Sequence, residues 1–250
     1  VLDYSGIEAR VLAWYAGDSE TIEKMESGVD LYKDMAADIY HCPISEVTSE
    51  QRQVGKAAIL GLGYQMGAKK FHEELQKIDD SYSLQDAQDI VTAYRNKYAK
   101  NVALWYELQR TAQNVSGNWD TYGPWRRYEL PSGRHLHYYQ MSRSSDGLRY
   151  KKVITARGGK MYDTSIYAGK FCENVVQAIA RDVLASSMLR IDAAGHKIIS
   201  TVHDEVVIEC DEDKAEATFA EVKAIMTAER SWAAGLPLNV EGYISRRFKK

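Results

Sequence analysis

The sequence predicts an α+β protein: an antiparallel sheet that carries paired acids, with a mostly helical segment inserted between residues near 19 and 167. Three observations predict this. Over residues 201–209 the apolar Val202, Val206, Val207 and Ile208 flank His203-Asp204-Glu205, which reads as two short buried strands around a sharp turn. At the other end of the chain, apolar Val1-Leu2 runs into Asp3, then a turn, then a helical pattern. Between these ends helical periodicity prevails up to residue 116. Paired acids in an apolar run call for a cation or a base opposite. If the two strands are neighbours, Asp3 and Asp204 can share divalent metal ions.

Residues 7–17 form the first expected helix, with Ile7, Val11, Leu12 and Trp14-Tyr15 as its apolar face and Gly17-Asp18 as its stop. Residues 19–41 are helical again, striped by Met25, Leu31, Met35, Ala36 and Ile39 and broken by Cys42-Pro43. Ser45 or Thr48-Ser49-Glu50 caps the next helix, 52–67. Further helices are expected over 71–78 and 84–115, with Tyr94, Tyr98, Val102, Trp105-Tyr106 and Leu108 on their apolar faces. From 118 to 167 the pattern switches to short strands and turns, including 128–130, the turn Pro131-Ser132-Gly133 and 135–139. Residues 171–191 return to helix, with Val175, Ile179, Val183 and Leu184 inward and Asn174, Gln177 and Arg181 on another side. The strand pair over 198–210, an acidic helix over 212–230 and a last strand over 236–240 complete the order. A strand with a key carboxylate that begins at Val1, without an initiator Met, predicts a chain that starts inside a domain and leaves a sheet edge exposed.

With 250 residues, 45% of them hydrophobic, the chain is large enough for a real core in one large domain or two subdomains. The net charge of −3 announces no nucleic-acid partner, but its distribution is uneven. Residues 121–170 carry Arg126, Arg127, Arg134, Arg143, Arg149, Lys151, Lys152, Arg157, Lys160 and Lys170 against Glu129, Asp146 and Asp163, a local +7 in a chain that is −10 elsewhere. With Trp125, Tyr128, Tyr138, Tyr139 and Tyr150 interleaved, this run suits a phosphate backbone with bases or sugars nearby. A solvated basic hairpin explains the same composition equally well. Cys42, Cys172 and Cys210 lack any CxxC spacing or surrounding histidines. They read as reduced thiols of a cytoplasmic protein without a zinc site. No apolar run reaches membrane-spanning length.

Residues 52–67 hold a second pattern. Arg52, Lys56, Leu60 and Tyr64 recur every four residues. On a helix each such step advances about 40° beyond a full turn, so the four lie along one slowly winding face. Two cations, an aliphatic side chain and a ring in line suit a nucleoside triphosphate laid lengthwise. Gly55, Gly61, Gly63 and Gly67 each cost roughly 1 kcal/mol in a helix interior and argue for bending or for close approach of another backbone. An ordinary amphipathic helix with surface Arg and Lys fits the pattern too, and the spacing of a phosphate-cradling Walker loop is absent.

Three blocks in this order resemble DNA polymerase family A, the bacterial polymerase I type and its phage relatives. They are Asp3-Tyr4-Ser5-Gly6-Ile7-Glu8-Ala9-Arg10, then Arg52-(x3)-Lys56-(x3)-Leu60-Gly61-(x2)-Tyr64, then Val202-His203-Asp204-Glu205. The turn 130–134 and the stretch 173–182 look most like phage members. The resemblance covers nearly the whole chain and implies a right-hand polymerase architecture. Residues 1–18 and 168–250 would form a palm with an antiparallel sheet, and 19–167 mostly helical fingers. The thumb and the N-terminal part of the palm would be absent from this chain and act as its missing partners, with primer-template DNA and dNTPs as the others. By resemblance, Asp3 and Asp204 would bind two Mg²⁺ ions that activate the primer 3′-hydroxyl and neutralise the triphosphate. Glu205 would be a supporting acid. Arg52 and Lys56 would hold the triphosphate, and Lys56 is placed to protonate the leaving group. Tyr64 would pack near the nascent base pair, and Glu8 would fill the space of a ribose 2′-hydroxyl. His203 would position the primer terminus, although a satisfied core histidine remains the alternative. Gln177 and Asn174 would read minor-groove acceptors, and Arg134 is a phosphate candidate.

Some positions depart from the pattern of the family that the chain resembles. Gly6 stands where Gln is common, Leu60 where Phe or Tyr is usual, Tyr32 where a triphosphate-contacting His is common, and Gln65 where Gly follows the Tyr. Leu60 is expected to make the enzyme a poor user of 2′,3′-dideoxynucleotides. Rival readings are a single-subunit RNA polymerase, a DNA-binding fragment without catalysis, and a metal-dependent phosphohydrolase suggested by His203-Asp204. Glu8 and Glu205 favour DNA synthesis over the first. The third lacks the further histidines it needs.

Overall fold

The computed structural model describes residues 1–144, 147–154 and 159–248. Two antiparallel sheets and a set of helices share one buried core. The first sheet has the order β7-β8-β1-β9 and is assembled from both ends of the chain. Its strand β1 (Leu2–Tyr4) pairs with β8 (Glu205–Glu209) on one side and β9 (Val240–Gly242) on the other, and β7 (Lys197–Val202) pairs with β8. Leu2 and Tyr4 alternate inward and are buried, so Asp3 between them must point to the open face. The two edges of this sheet are β7 and β9. β7 is half exposed along its length, so the expected pair of buried strands is buried chiefly at Val206 and Val207.

Tyr4 also fastens β1 from below. Its phenol lies 2.7 Å from Ser187 Oγ and donates to the carbonyl of Met226 at 2.8 Å, and Arg230 Nη2 donates to it at 3.2 Å. Arg230 is only 1% exposed, and its Nη groups donate to Ser187 and the carbonyls of Val183, Met226 and Ala228, while its Nε is buried without a partner. A buried guanidinium is tolerated only with such a set of acceptors. Burial holds its pKa below the ordinary arginine value.

The helices follow the expected order with shorter segments. α1 (Ile7–Tyr15) leads to α2 (Ser19–Glu26) and α3 (Leu31–Tyr40). The single helix expected over 19–41 is broken because Asp18 and Asp30 each cap a new start with their carboxylates. α4 (Ser49–Leu62) begins with a capping box in which Thr48 and Gln51 bond reciprocally. α5 (Ala68–Leu75), α6 (Leu84–Lys97) and α7 (Ala99–Asn114) follow. The helix expected over 84–115 divides at Tyr98, which leaves helical geometry and is buried with its ring 4.8 Å from that of Tyr94.

Residues 119–166 form a five-stranded meander: β2 (Trp119–Tyr122), β3 (Trp125–Glu129), β4 (His135–Ser144), β5 (Gly147–Ile154) and β6 (Lys160–Ile166). A mostly helical reading of 19–167 therefore applies to its first two thirds, and β4 at ten residues is not short. Trp119, Tyr128 and Tyr138 on the inner face pack around Phe171 of α8 (Ala168–Ala193), the long central helix. The acidic helix expected over 212–230 is α9 (Ala215–Thr227) preceded by a 3-10 turn, and the last strand begins at Val240 rather than at 236. No helix among the described residues is long and apolar enough to cross a membrane.

Candidate active site

Strand pairing gathers the acids. Asp3 lies opposite Glu205 across β1 and β8 and opposite Glu241 across β1 and β9. Directly opposed residues project from the same face, so the three carboxylates form one row across three strands. Asp204 sits beside them in the β7–β8 turn. His203, the other turn residue, has φ +55°, a left-handed conformation that makes the turn tight enough to bring Asp204 back towards β1. The carboxylate of Asp204 comes within hydrogen-bonding reach of that of Asp3. Partial burial, then the charge of Asp204, push the Asp3 pKa up to about 6.

Among the described residues no Lys or Arg pairs with Asp3, Asp204 or Glu205. Glu205 Oε1 is buried without a hydrogen-bond partner. An oxygen-only donor set with an orphaned carboxylate oxygen and mutually repelling acids fits a hard divalent cation. Among the described residues no three acidic, histidine or cysteine side chains close around a single ion. Asp3 and Asp204 are the residues that would hold such an ion, and Mg²⁺ is commonly held by one or two carboxylates together with waters and substrate phosphates.

α4 carries the second group of expected residues. Arg52, Lys56 and Leu60 share one face, with Lys56 and Leu60 exposed and Arg52 half exposed. Tyr64 does not continue that face. α4 ends at Leu62, and the carbonyl of Gly63 is taken by Trp105 Nε1 at 2.7 Å. The Tyr64 ring turns inward and donates its O–H to Glu8 Oε2 of α1 at 2.9 Å. Burial and the Glu8 carboxylate drive the Tyr64 pKa upward. α8 closes on the same turn so tightly that a Cβ on Gly169 would stand 2.1 Å from the Tyr64 carbonyl. Gln65, in the left-handed region at φ +64°, accepts from the Gly169 N–H at 2.9 Å.

Arg52 is seated by α3. Its Nε donates to Asp30 Oδ2 at 2.6 Å, and its guanidinium lies 5.0 Å from the ring centre of Tyr32. Burial raises the Asp30 pKa, but the bonds from Arg52 and from the backbone N–H groups of Lys33 and Tyr32 outweigh it and hold the carboxyl below its ordinary value. α3 and α4 cross at Gly55, where an added Cβ would meet the Tyr32 carbonyl at 2.0 Å.

The sequence profile of DNA polymerase family A matches residues 1–250. The chain belongs to DNA polymerase family A. It is 35% identical to a DNA polymerase of Bacillus phage SP02, over 100% of this chain and 41% of that protein. It is 27% identical to the thermostable DNA polymerase I of Thermus aquaticus, over 96% of this chain and 26% of that one. The chain thus spans less than half the length of these relatives. Its fold is similar to the POL domain of Pol1 from M. smegmatis, solved in complex with DNA primer-template and dNTP, with a TM-score of 0.70 at 23% identity over 96% of this chain and 38% of that one.

The remaining expected residues of this family A chain fall in different places. His203 is exposed at the hairpin tip, which removes the alternative of a buried core histidine. Gln177 is exposed on α8, while Asn174 Nδ2 donates to the Tyr138 phenol at 3.0 Å and ties α8 to β4. Arg134 donates to Asp182 at 2.6 Å and to the carbonyl of Ala178 at 3.0 Å, so it pins the β3–β4 turn to α8.

Much of the basic run has similar structural work. α7 has no basic residue in its last turn, and Arg126 and Arg143 reach over from β3 and β4 to bond the carbonyls of Ala112 and Gln113. Arg127 pairs with Asp120, and Lys170 with Glu173. Arg157 and Asp146 lie outside the described residues. Sequence reasoning missed Glu241 and Asp30. Asp30 carried a signal, an acid just ahead of an apolar helical stripe, but it read only as a helix start. Glu241 carried none, because its neighbour Asp3 is remote in sequence.

Proposed function

We propose that this chain carries the reaction centre of a DNA-directed DNA polymerase, which transfers a nucleotide from a dNTP to a primer 3′-hydroxyl on a primed template. The observation that supports it most is the close approach of the carboxylates of Asp3 and Asp204, brought from opposite ends of the chain to one open face. Divalent cations bound there, two in the reading adopted here, would acidify the primer hydroxyl and neutralise charge on the triphosphate and the leaving pyrophosphate. Asp3 and Asp204 act as their ligands rather than as general bases. Glu205 adds a third negative charge beside the primer end.

Arg52 and Lys56 bind the triphosphate from α4, and Lys56, exposed and without a described partner, is placed to give a proton to the leaving group. Leu60 lies under the sugar on this face, and Tyr64, turned inward onto Glu8, packs at the edge of the nascent base pair. Glu8, held by the Tyr64 phenol, occupies the space of a 2′-hydroxyl and so selects deoxynucleotides. Tyr32 flanks the phosphates, His203 orients the primer terminus and the exposed Gln177 reads the minor groove, while Asn174 and Arg134, bonded to Tyr138 and Asp182, brace α8 beside it. In this reading the activity serves DNA replication in a bacterial cytoplasm, a setting that suits the free thiols of Cys42, Cys172 and Cys210.

Primer extension on a primed template with Mg²⁺, with dNTPs and rNTPs in parallel, tests this reading. Extension with dNTPs that is lost in Asp204→Ala supports it. Equal use of rNTPs would favour the RNA polymerase reading. A folded protein that binds primed DNA and extends nothing would leave only a DNA-binding function.

A further inference from the structure

We propose that Asp30 is a positioning residue for triphosphate binding, holding Arg52 so that the outer edge of its guanidinium faces the phosphates. This inference rests on the reading of Arg52 as a triphosphate ligand. Asp30 divides its two oxygens between two tasks. Oδ1 accepts from the backbone N–H groups of Tyr32 and Lys33, at 2.9 and 3.2 Å, and so caps α3. Oδ2 accepts from Arg52 Nε at 2.6 Å. A carboxylate that met Arg side-on would engage Nε and an Nη together and use up the fork. With Oδ1 committed to the helix cap, Asp30 grips Nε alone. Among the described residues neither Nη of Arg52 has a hydrogen-bond partner, so the two Nη groups stay available for a bidentate bond to phosphate.

The other constraints on Arg52 agree. The Tyr32 ring supports the plane of the guanidinium at 5.0 Å. The close crossing at Gly55 leaves no room for α4 to slide on α3, so the Cα of Arg52 and the carboxylate of Asp30 belong to one rigid pair of helices. Asp30 and Tyr32 also line a cavity of about 690 Å³ whose far wall includes Ser5, Gly6 and Glu241, next to the acid row. A long, mobile Arg side chain loses rotamer freedom when it binds phosphate. Here that freedom is already removed before the nucleotide arrives, which raises affinity without adding a contact to it.

Asp30→Asn isolates the effect. Asn caps a helix about as well as Asp, but its single carbonyl oxygen cannot serve the cap and Arg52 together. Single-nucleotide incorporation by the full-length protein, with Asp30→Asn, Arg52→Ala and the double variant, gives kcat and KM for the dNTP. Equilibrium binding of dNTP and of primed template is measured beside it. The expected result is a rise of about tenfold in KM and in the dNTP dissociation constant for Asp30→Asn, with kcat and primed-template affinity within about twofold of the parent. The double variant is expected to be no worse than Arg52→Ala. If Arg52→Ala raises KM and Asp30→Asn leaves or lowers it, or if the two losses add, Asp30 does not position Arg52. If Arg52→Ala leaves KM unchanged, the assignment of Arg52 to the triphosphate fails, and the role of Asp30 falls with it.

Discussion

The phenol of Tyr64 donates to the carboxylate of Glu8 at 2.9 Å, joining the turn after α4 to the first turn of α1. Tyr64 is itself held from behind, by Trp105 on the preceding carbonyl and by α8 at Gly169. Glu8 is therefore fixed by a side chain with no freedom of its own. On the proposed role of Glu8, sugar selection would be coupled to the packing of three helices.

Tyr64→Phe is expected to release Glu8 and to lower the ratio of kcat/KM for dNTP over rNTP by about tenfold, with Glu8→Ala lowering it further. Steady-state incorporation of matched dNTP and rNTP measures it. An unchanged ratio in Tyr64→Phe would show that Glu8 is held by other means.

Leu60 is 43% exposed, on the same face as Arg52 and Lys56. Leu60→Tyr is expected to raise incorporation of 2′,3′-dideoxynucleotides at least about tenfold relative to dNTPs. Chain-termination assays at fixed nucleotide ratios check this, and equal terminator use by both proteins would sink it.

The Asp3 pKa of about 6 makes a statement about stability. A carboxyl raised on folding contributes stability below its unfolded value, and loses that contribution as pH rises through the folded value. Without divalent cations the protein should therefore weaken between about pH 4 and 6 from this group. Asp3→Asn should raise Tm at pH 7 in chelator and leave it unchanged at pH 4. Added Mg²⁺ should raise Tm at pH 7 in the parent more than in Asp3→Asn. Thermal melts at the two pH values read all three arms.

Gly55→Ala forces a methyl group against the Tyr32 carbonyl, 2.0 Å away, and α3 must move off α4. The expected cost is about 2–3 kcal/mol. Because the shift also displaces Arg52 from Asp30, the KM for dNTP should rise with it. A melt and a KM determination on the same preparation check both. A variant as stable as the parent would mean that the crossing is looser than this geometry.

Tyr4→Phe removes the hydroxyl shared by Ser187, Met226 and Arg230 beneath β1. Leaving these buried partners short of a bond should cost about 1–3 kcal/mol. Denaturant unfolding measures it. A change under about 0.5 kcal/mol would show that Arg230 re-pairs without it.

Some of this protein was legible without coordinates because it depends on local geometry. A period of four puts Arg52, Lys56 and Leu60 on one helix face whatever packs around them. The alternation of Leu2, Asp3 and Tyr4 sends one acid outward whenever the other two are buried. Polar residues amid an apolar run mark the hairpin turn, and Thr48 marks the start of α4. Together these were enough for the α+β class and for the acids that meet at the centre. They also carried the resemblance to the family that the whole chain matches.

The tertiary structure decided which remote groups meet. Pairing of β1 with β9 sets Glu241 beside Asp3, and nothing near either residue encodes that register. The α3–α4 crossing puts Asp30 on Arg52. Trp105 and α8 end the α4 face at Leu62 and turn Tyr64 inward, against the spacing that aligned it with Leu60. The basic run 121–170, which suited a phosphate surface and a solvated hairpin equally, spends Arg126 and Arg143 on the end of α7 and Arg134 on α8. The physical reason is common to all four. A side chain's backbone direction follows from its own segment, whereas its partner depends on how distant segments bury their apolar faces and satisfy their polar atoms at once.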